Sequence, residues 1–129
     1  MILAFKQQFV PKIKNGQKKH TLRLDPHNRW EKGRSIQMAT GVRTKNYNCF
    51  KESECLGVQN VFMSYAYNDL IEISVGDRTL YSYSERLELA INDGFDDWES
   101  FFNWFYPLIA KTENNWLELK LIHWTEKRY

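Results

Sequence analysis

The chain opens on an apolar run, Met1 to Phe5, that ends at Lys6 and predicts a short strand. Phe9 and Ile13 lie four residues apart, one helical turn, and Gly16 supplies a stop, so a brief helical segment is expected over Phe9–Asn15. His20–Leu24 then alternates Leu22 and Leu24 against Thr21 and Arg23, the two-residue period of a half-buried strand. Asp25–Gly33 is rich in turn formers and holds Trp30 in its middle. Ser35–Gly41 predicts a further strand, and the polar stretch Val42–Glu54 a long loop. From Cys55 to Leu80 β-branched and aromatic residues dominate, broken by turn signals at Asn68-Asp69 and Gly76-Asp77. The second signal fits a two-residue hairpin.

Only the next stretch sustains a helical period. Ser84 is placed to cap a helix over Glu85–Ile91, and Asn92-Asp93-Gly94 ends it. Asp96 with Glu99 three residues later has the spacing of a capping box, and Trp98, Phe101, Phe102 and Phe105 fall on one face of the helix it would open. So regular a stripe predicts core, not a cofactor site. Pro107 is expected to close that helix or to lie just past its end. Trp116–Thr125 alternates once more and predicts a closing strand. Many short strands, few helices, no repeat and no linker predict a single domain over residues 1–129. Its class is α+β, a small β-barrel of about five to seven strands with two or three short helices beside it, because closure removes exposed sheet edges.

Composition adds two points. The 129 residues include 20 aromatics, more than an average core of this size requires. The formal charge of +2 conceals a polar distribution: residues 1–34 hold nine basic side chains against Asp25 and Glu31, while residues 61–115 hold ten acids against three bases. A concentrated cationic segment attracts phosphates whatever the total charge is, although each charged face is also compatible with simple solvation. The apolar start is far shorter than a signal-peptide core or a membrane span, so a cytoplasmic location without membrane contact is expected. Cys49 and Cys55 form no CxxC pair and His20, His27 and His123 no HExxH spacing, so no metal and no cofactor are expected.

The run Gly16-Gln17-Lys18-Lys19-His20-Thr21-Leu22-Arg23 resembles the G-x-K-x-x-T-x-R signature of the ASCH domain, a branch of the PUA-like superfamily. The preceding Phe9 to Ile13 turn, the Trp30-Glu31-Lys32-Gly33 segment and the stretch from Asn92 through Gly94-Phe95 to Phe105 resemble the family in the same order. Ile122-His123-Trp124-Thr125 resembles the ending of a bacterial and phage-associated subgroup. The resemblance covers nearly the whole chain. It implies a PUA-like barrel with a cleft between the signature strand and the segment joining two helices, and binding of RNA or a nucleotide. Some small members resemble amidohydrolases that remove acyl groups from the exocyclic amine of cytidine, with Lys, Thr and an acid as the catalytic set. Here these become Lys18, Thr21 and Asp93; the small amidohydrolases carry Glu where this chain carries the shorter Asp.

The residues themselves support two chemistries. A desolvated Lys18 near other cations titrates low enough to act as a base toward the Thr21 hydroxyl, provided a bend after Gly16 brings the two together, since residues three apart on a regular strand face opposite ways. The same residues also serve binding alone, with Lys18, Lys19, Arg23 and Arg43 meeting phosphate, Thr21 donating, Asp93 accepting from a base amine and Trp30 stacking on a base. For Arg23 a purely structural ion pair with the acidic helix pair is the competing reading. Tyr47, Phe50, Tyr65 and Tyr67 lie near basic residues and are further stacking candidates, while Lys45 and Lys51 offer further phosphate contacts. Binding of RNA or a nucleotide by a monomer is the first expectation and deacylation of cytidine nucleosides the second. A regulatory protein acting through protein contacts is the third.

Overall fold

The computed structural model describes residues 1–65 and 71–129. The Asn68-Asp69 turn and Tyr67 lie outside the described residues. Strand β1 (Ile2–Ala4) leads into a 3-10 turn over Gln7–Phe9 that continues as helix α1 (Val10–Lys14), with Pro11 at its start where no donor is lost. Next come β2 (His20–Arg23), β3 (Ser35–Thr40), β4 (Asn48–Glu54), β5 (Gly57–Tyr65), β6 (Ile71–Val75) and the two-residue β7 (Arg78–Thr79). Helices α2 (Tyr83–Asn92) and α3 (Trp98–Ala110) follow, and β8 (Trp116–His123) ends the order.

These strands form two sheets. The smaller runs β1-β3-β4, with β1 parallel to β3; the larger runs β2-β8-β5-β6-β7 and is antiparallel throughout. The α+β class is therefore observed, while the expected closed barrel is not: among the described residues no ladder joins the edges of the two sheets. Alternation along a strand specifies which face is buried and says nothing about which edges pair. The strand count also exceeds the expected range, through the short β7 and through β4.

Strand β4 corrects the loop expected over Val42–Glu54. Its side chains are nearly all exposed, so its sequence carries no apolar alternation. Backbone pairing with β3, from Ser35↔Glu54 to Thr40↔Asn48, holds it as a polar edge strand. The cap of α2 is Ser82, not Ser84. Ser82 Oγ accepts from the Glu85 amide while the Glu85 carboxylate accepts from the Ser82 amide, a reciprocal box two residues earlier than expected. Helix α3 is capped by Asp97, not Asp96: Asp97 Oδ1 accepts from the Ser100 amide at 2.8 Å, while Asp96 pairs with Lys12. Pro107 lies inside α3 and is exposed; the helix runs on to Ala110, held by the burial of Phe101, Phe105 and Ile109.

Among the described residues one hydrophobic core joins both sheets to the helices. Leu117, Leu119 and Leu121 of β8 point into it, as the alternation predicts, and beyond them Ile122, His123 and Trp124 are buried as well. The end of β8 is thus covered on both faces. Most of the aromatic excess is packing: the Phe95 ring meets Phe9, Phe101, Trp104 and Phe105 in edge contacts with centroids 5.4 to 6.0 Å apart. This cluster fixes the α2–α3 connection against α1, and that connection carries Asp93.

Candidate functional site

Gly16, at φ +86°, reverses the chain after α1. The Lys18 amide then bonds to the Lys12 carbonyl at 2.9 Å and the Lys19 amide to the Asn92 carbonyl at 2.7 Å, which ties the segment before β2 to the end of α2. Lys18 precedes the first residue of β2, so strand alternation does not govern where its side chain goes. It runs inward beneath the Phe9 and Phe5 rings, with Nζ 4.9 and 5.7 Å from their centroids. Gly94, at φ +99°, leaves room for it: a Cβ there would lie 2.9 Å from Lys18 Cδ and 3.0 Å from the Phe9 ring.

Asp93 ends α2, its amide bonded to the Leu89 and Ala90 carbonyls. Lys18 Nζ donates to Asp93 twice, to the main-chain oxygen at 2.5 Å and to Oδ1 at 3.3 Å. Both side chains are buried. His20 also reaches Oδ1, with Nδ1 at 3.1 Å, and its Nε2 lies 2.6 Å from the Tyr129 hydroxyl. Asn92 Nδ2 donates to that same hydroxyl at 3.0 Å.

On β2, Thr21 and Arg23 project to one side. The Thr21 hydroxyl oxygen accepts from Arg23 Nε at 3.2 Å, and an Arg23 Nη donates to the Ala4 carbonyl at 2.5 Å. The guanidinium lies over the Phe5 ring, 4.9 Å from its centroid. Arg23 makes no ion pair among the described residues, which removes the expected alternative of a structural bridge to the helices.

Lys18, Thr21, Arg23 and Asp93 line one cleft of about 500 Å³ whose remaining wall is mainly apolar and aromatic, including Phe5, Phe9 and Trp104. Burial lowers Lys18 from its ordinary 10.5 to about 8; the Asp93 carboxylate opposes that shift and the Arg23 charge adds to it. Burial also lowers Arg23, against the pull of Asp93. His20 is lowered chiefly by burial, which favours the neutral ring, against its bond to Asp93.

The four residues that the sequence brings to one chemistry thus share one cleft, with the Lys18 to Asp93 contact direct. Lys19, Trp30 and Arg43 are not among its lining residues. The Lys19 ammonium turns back to the Gly16 and Gln17 carbonyls. Trp30 packs half-buried against the core, its amide held by Asp25, and Arg43 sits exposed in a left-handed turn at φ +65°. Phe50 packs on Phe5 and Tyr65 on Tyr106, while Tyr47, Lys45 and Lys51 are exposed away from the cleft lining.

Sequence reasoning missed His20 and Tyr129. His20 lies within the signature but on the opposite face of β2 from Thr21, a position that alternation alone assigns to packing. Tyr129 carries no periodic signal; its position depends on the path of the chain after β8.

Comparison with family models, curated proteins and solved structures yields no match to this chain.

Proposed function

We propose that this chain is an ASCH-like domain whose cleft binds a nucleotide-sized anionic ligand, free or as one exposed unit of an RNA strand. One observation carries the reading: two cations, the buried Lys18 and the half-buried Arg23, line a cleft in which Asp93 is the carboxylate among the described lining residues. Burial disfavours both charged forms, so an entering phosphate is favoured by the charge it balances. The aromatic wall offers faces for a base, and about 500 Å³ falls in the usual range of small-ligand sites. The G-x-K-x-x-T-x-R resemblance points the same way, since three of its four defining residues, Lys18, Thr21 and Arg23, line this cleft.

The test is calorimetric titration with cytidine monophosphate and with a short single-stranded RNA at several salt concentrations. Binding that weakens with salt and drops at least tenfold in a folded Arg23→Gln variant supports the reading. No binding of any nucleotide or RNA overturns it.

A second reading, deacylation of the exocyclic amine of acylated cytidine, is favoured by the Lys18 ammonium brought down to about 8 in the cleft that also holds Thr21 and Asp93. The net reaction consumes water and releases cytidine and a carboxylic acid. Neutral Lys18 is the candidate base toward the Thr21 hydroxyl, and Asp93 orients the lysine. Release of acetate from acetylated cytidine, abolished in folded Thr21→Ala and Lys18→Ala, is the expected outcome. Failure to cleave any acylated nucleoside rejects this reading and leaves the binding one intact.

A further inference from the structure

Behind the cleft, with His20 in the neutral form that its burial favours, the hydrogen bonds around Asp93 admit one consistent set of directions. Lys18 is a donor only, so Asp93 Oδ1 is an acceptor in that contact. With His20 neutral, its Nδ1 also faces Oδ1 and must carry the ring proton; Nε2 is then an acceptor, and the hydroxyl facing it at 2.6 Å supplies the proton from Tyr129. The Tyr129 oxygen in turn accepts from Asn92 Nδ2. Every polar atom of His20 is used, and the ring is closed to water. The charged and titratable groups around it are Asp93 from the α2–α3 connection, Lys18 and Lys19 ahead of β2, His123 on β8 and Tyr129.

Tyr129 is itself fastened. Its amide donates to Gln59 Oε1 at 3.3 Å and its carbonyl accepts from Gln59 Nε2 at 3.0 Å, while Arg128 reaches the Leu56 carbonyl at 2.9 Å and Lys127 pairs with Glu88. The segment after β8 is therefore bonded to β5, to the residue before it and to α2, and it delivers one hydroxyl to the imidazole behind Asp93.

We infer that His20 and Tyr129 are positioning residues: the Asp93 carboxylate fixes the tautomer of His20, the hydroxyl of Tyr129 anchors the far side of the ring by donating to Nε2, and His20 so held keeps the Asp93 carboxylate in the one orientation that presents Lys18 to the cleft. The inference rests on the cleft being the functional site, as proposed above, but the device is testable without any ligand. A carboxylate held only by a flexible ammonium has other rotamers; a second, rigid donor on the same oxygen removes that freedom.

The discriminating substitutions are His20→Asn, whose amide nitrogen sits near the place of Nδ1, His20→Gln, whose amide nitrogen sits near the place of Nε2, and Tyr129→Phe, which removes only the hydroxyl. Isotope-edited NMR of the His20 ring and of the Lys18 Cε is the first measurement. The native protein is expected to hold His20 as the Nδ1-protonated tautomer with Nε2 hydrogen-bonded, and Tyr129→Phe to shift the Nε2 resonance to that of an unbonded ring nitrogen, broaden the ring signals and displace the Lys18 titration midpoint. Calorimetry with cytidine monophosphate is the second: affinity falls about tenfold or more in His20→Gln and Tyr129→Phe and stays within about threefold in His20→Asn, an ordering that loss of a neutral core contact does not produce. An Nε2-protonated His20 in the native protein, an unchanged NMR spectrum in Tyr129→Phe, or equal losses in His20→Asn and His20→Gln overturns the inference. If the native protein binds no nucleotide, the ligand reading fails and the NMR spectra alone decide the relay.

Discussion

Lys18 and Asp93, 75 residues apart in the chain, meet at 3.3 Å with their side chains only 2% and 3% exposed. A buried pair of this kind is costly to break from one side, because the remaining charge keeps its desolvation penalty without its partner. Lys18→Met alone or Asp93→Asn alone is expected to cost about 3–5 kcal/mol, and the double variant less than the sum of the two. Urea unfolding of the four proteins measures the coupling; strictly additive losses would show that the two side chains do not interact.

The lowered Lys18 gives a pH dependence of definite sign. Between about 8 and its ordinary 10.5 the unfolded chain holds this proton and the folded chain does not, so the contribution of Lys18 to stability rises with pH across that window and is flat below it. Phosphate affinity runs the other way, falling as pH rises through about 8 and the ammonium is lost. Unfolding and nucleotide titrations across this range, with Lys18→Met as the control that removes both trends, check the assignment.

Gly94→Ala tests the packing that admits Lys18. The backbone there is left-handed, and the added methyl group would press on Lys18 Cδ and the Phe9 ring. A loss of about 1–3 kcal/mol is expected, together with weakened ligand binding as the lysine stem is displaced. Full stability with unchanged binding in this variant would mean that the α2–α3 connection yields freely.

Pro107 offers a prediction remote from the cleft. It is exposed within α3, where it lacks the amide that would close a turn of the helix. Pro107→Ala is expected to raise stability, by at most about 3 kcal/mol, without altering ligand affinity. A lower unfolding midpoint would show that the proline supports the fold by some other contact.

Local chemistry alone determined much of this protein. Alternation placed β2 and the core face of β8, and the four-residue spacing of Phe101 and Phe105 placed the buried face of α3, because these periods are imposed by backbone geometry within a few residues. The signature run likewise brought Lys18, Thr21 and Arg23 forward, with Asp93 marked by the glycine turn after α2. What required the tertiary structure was everything set by partners distant in sequence. Backbone pairing made a strand of the polar residues Asn48–Glu54, and the cap of α3 fell to Asp97 while Asp96 paired with Lys12. Pairing of edges left two sheets where alternation had suggested a barrel, and packing set Trp30 half-buried against the core, outside the cleft lining. His20 and Tyr129 came together behind Asp93 only because β2 lies beside β8 and the chain beyond β8 turns back across Gln59. A hydrogen bond between residues 109 apart leaves no trace in local composition; its donor and acceptor are chosen by the fold.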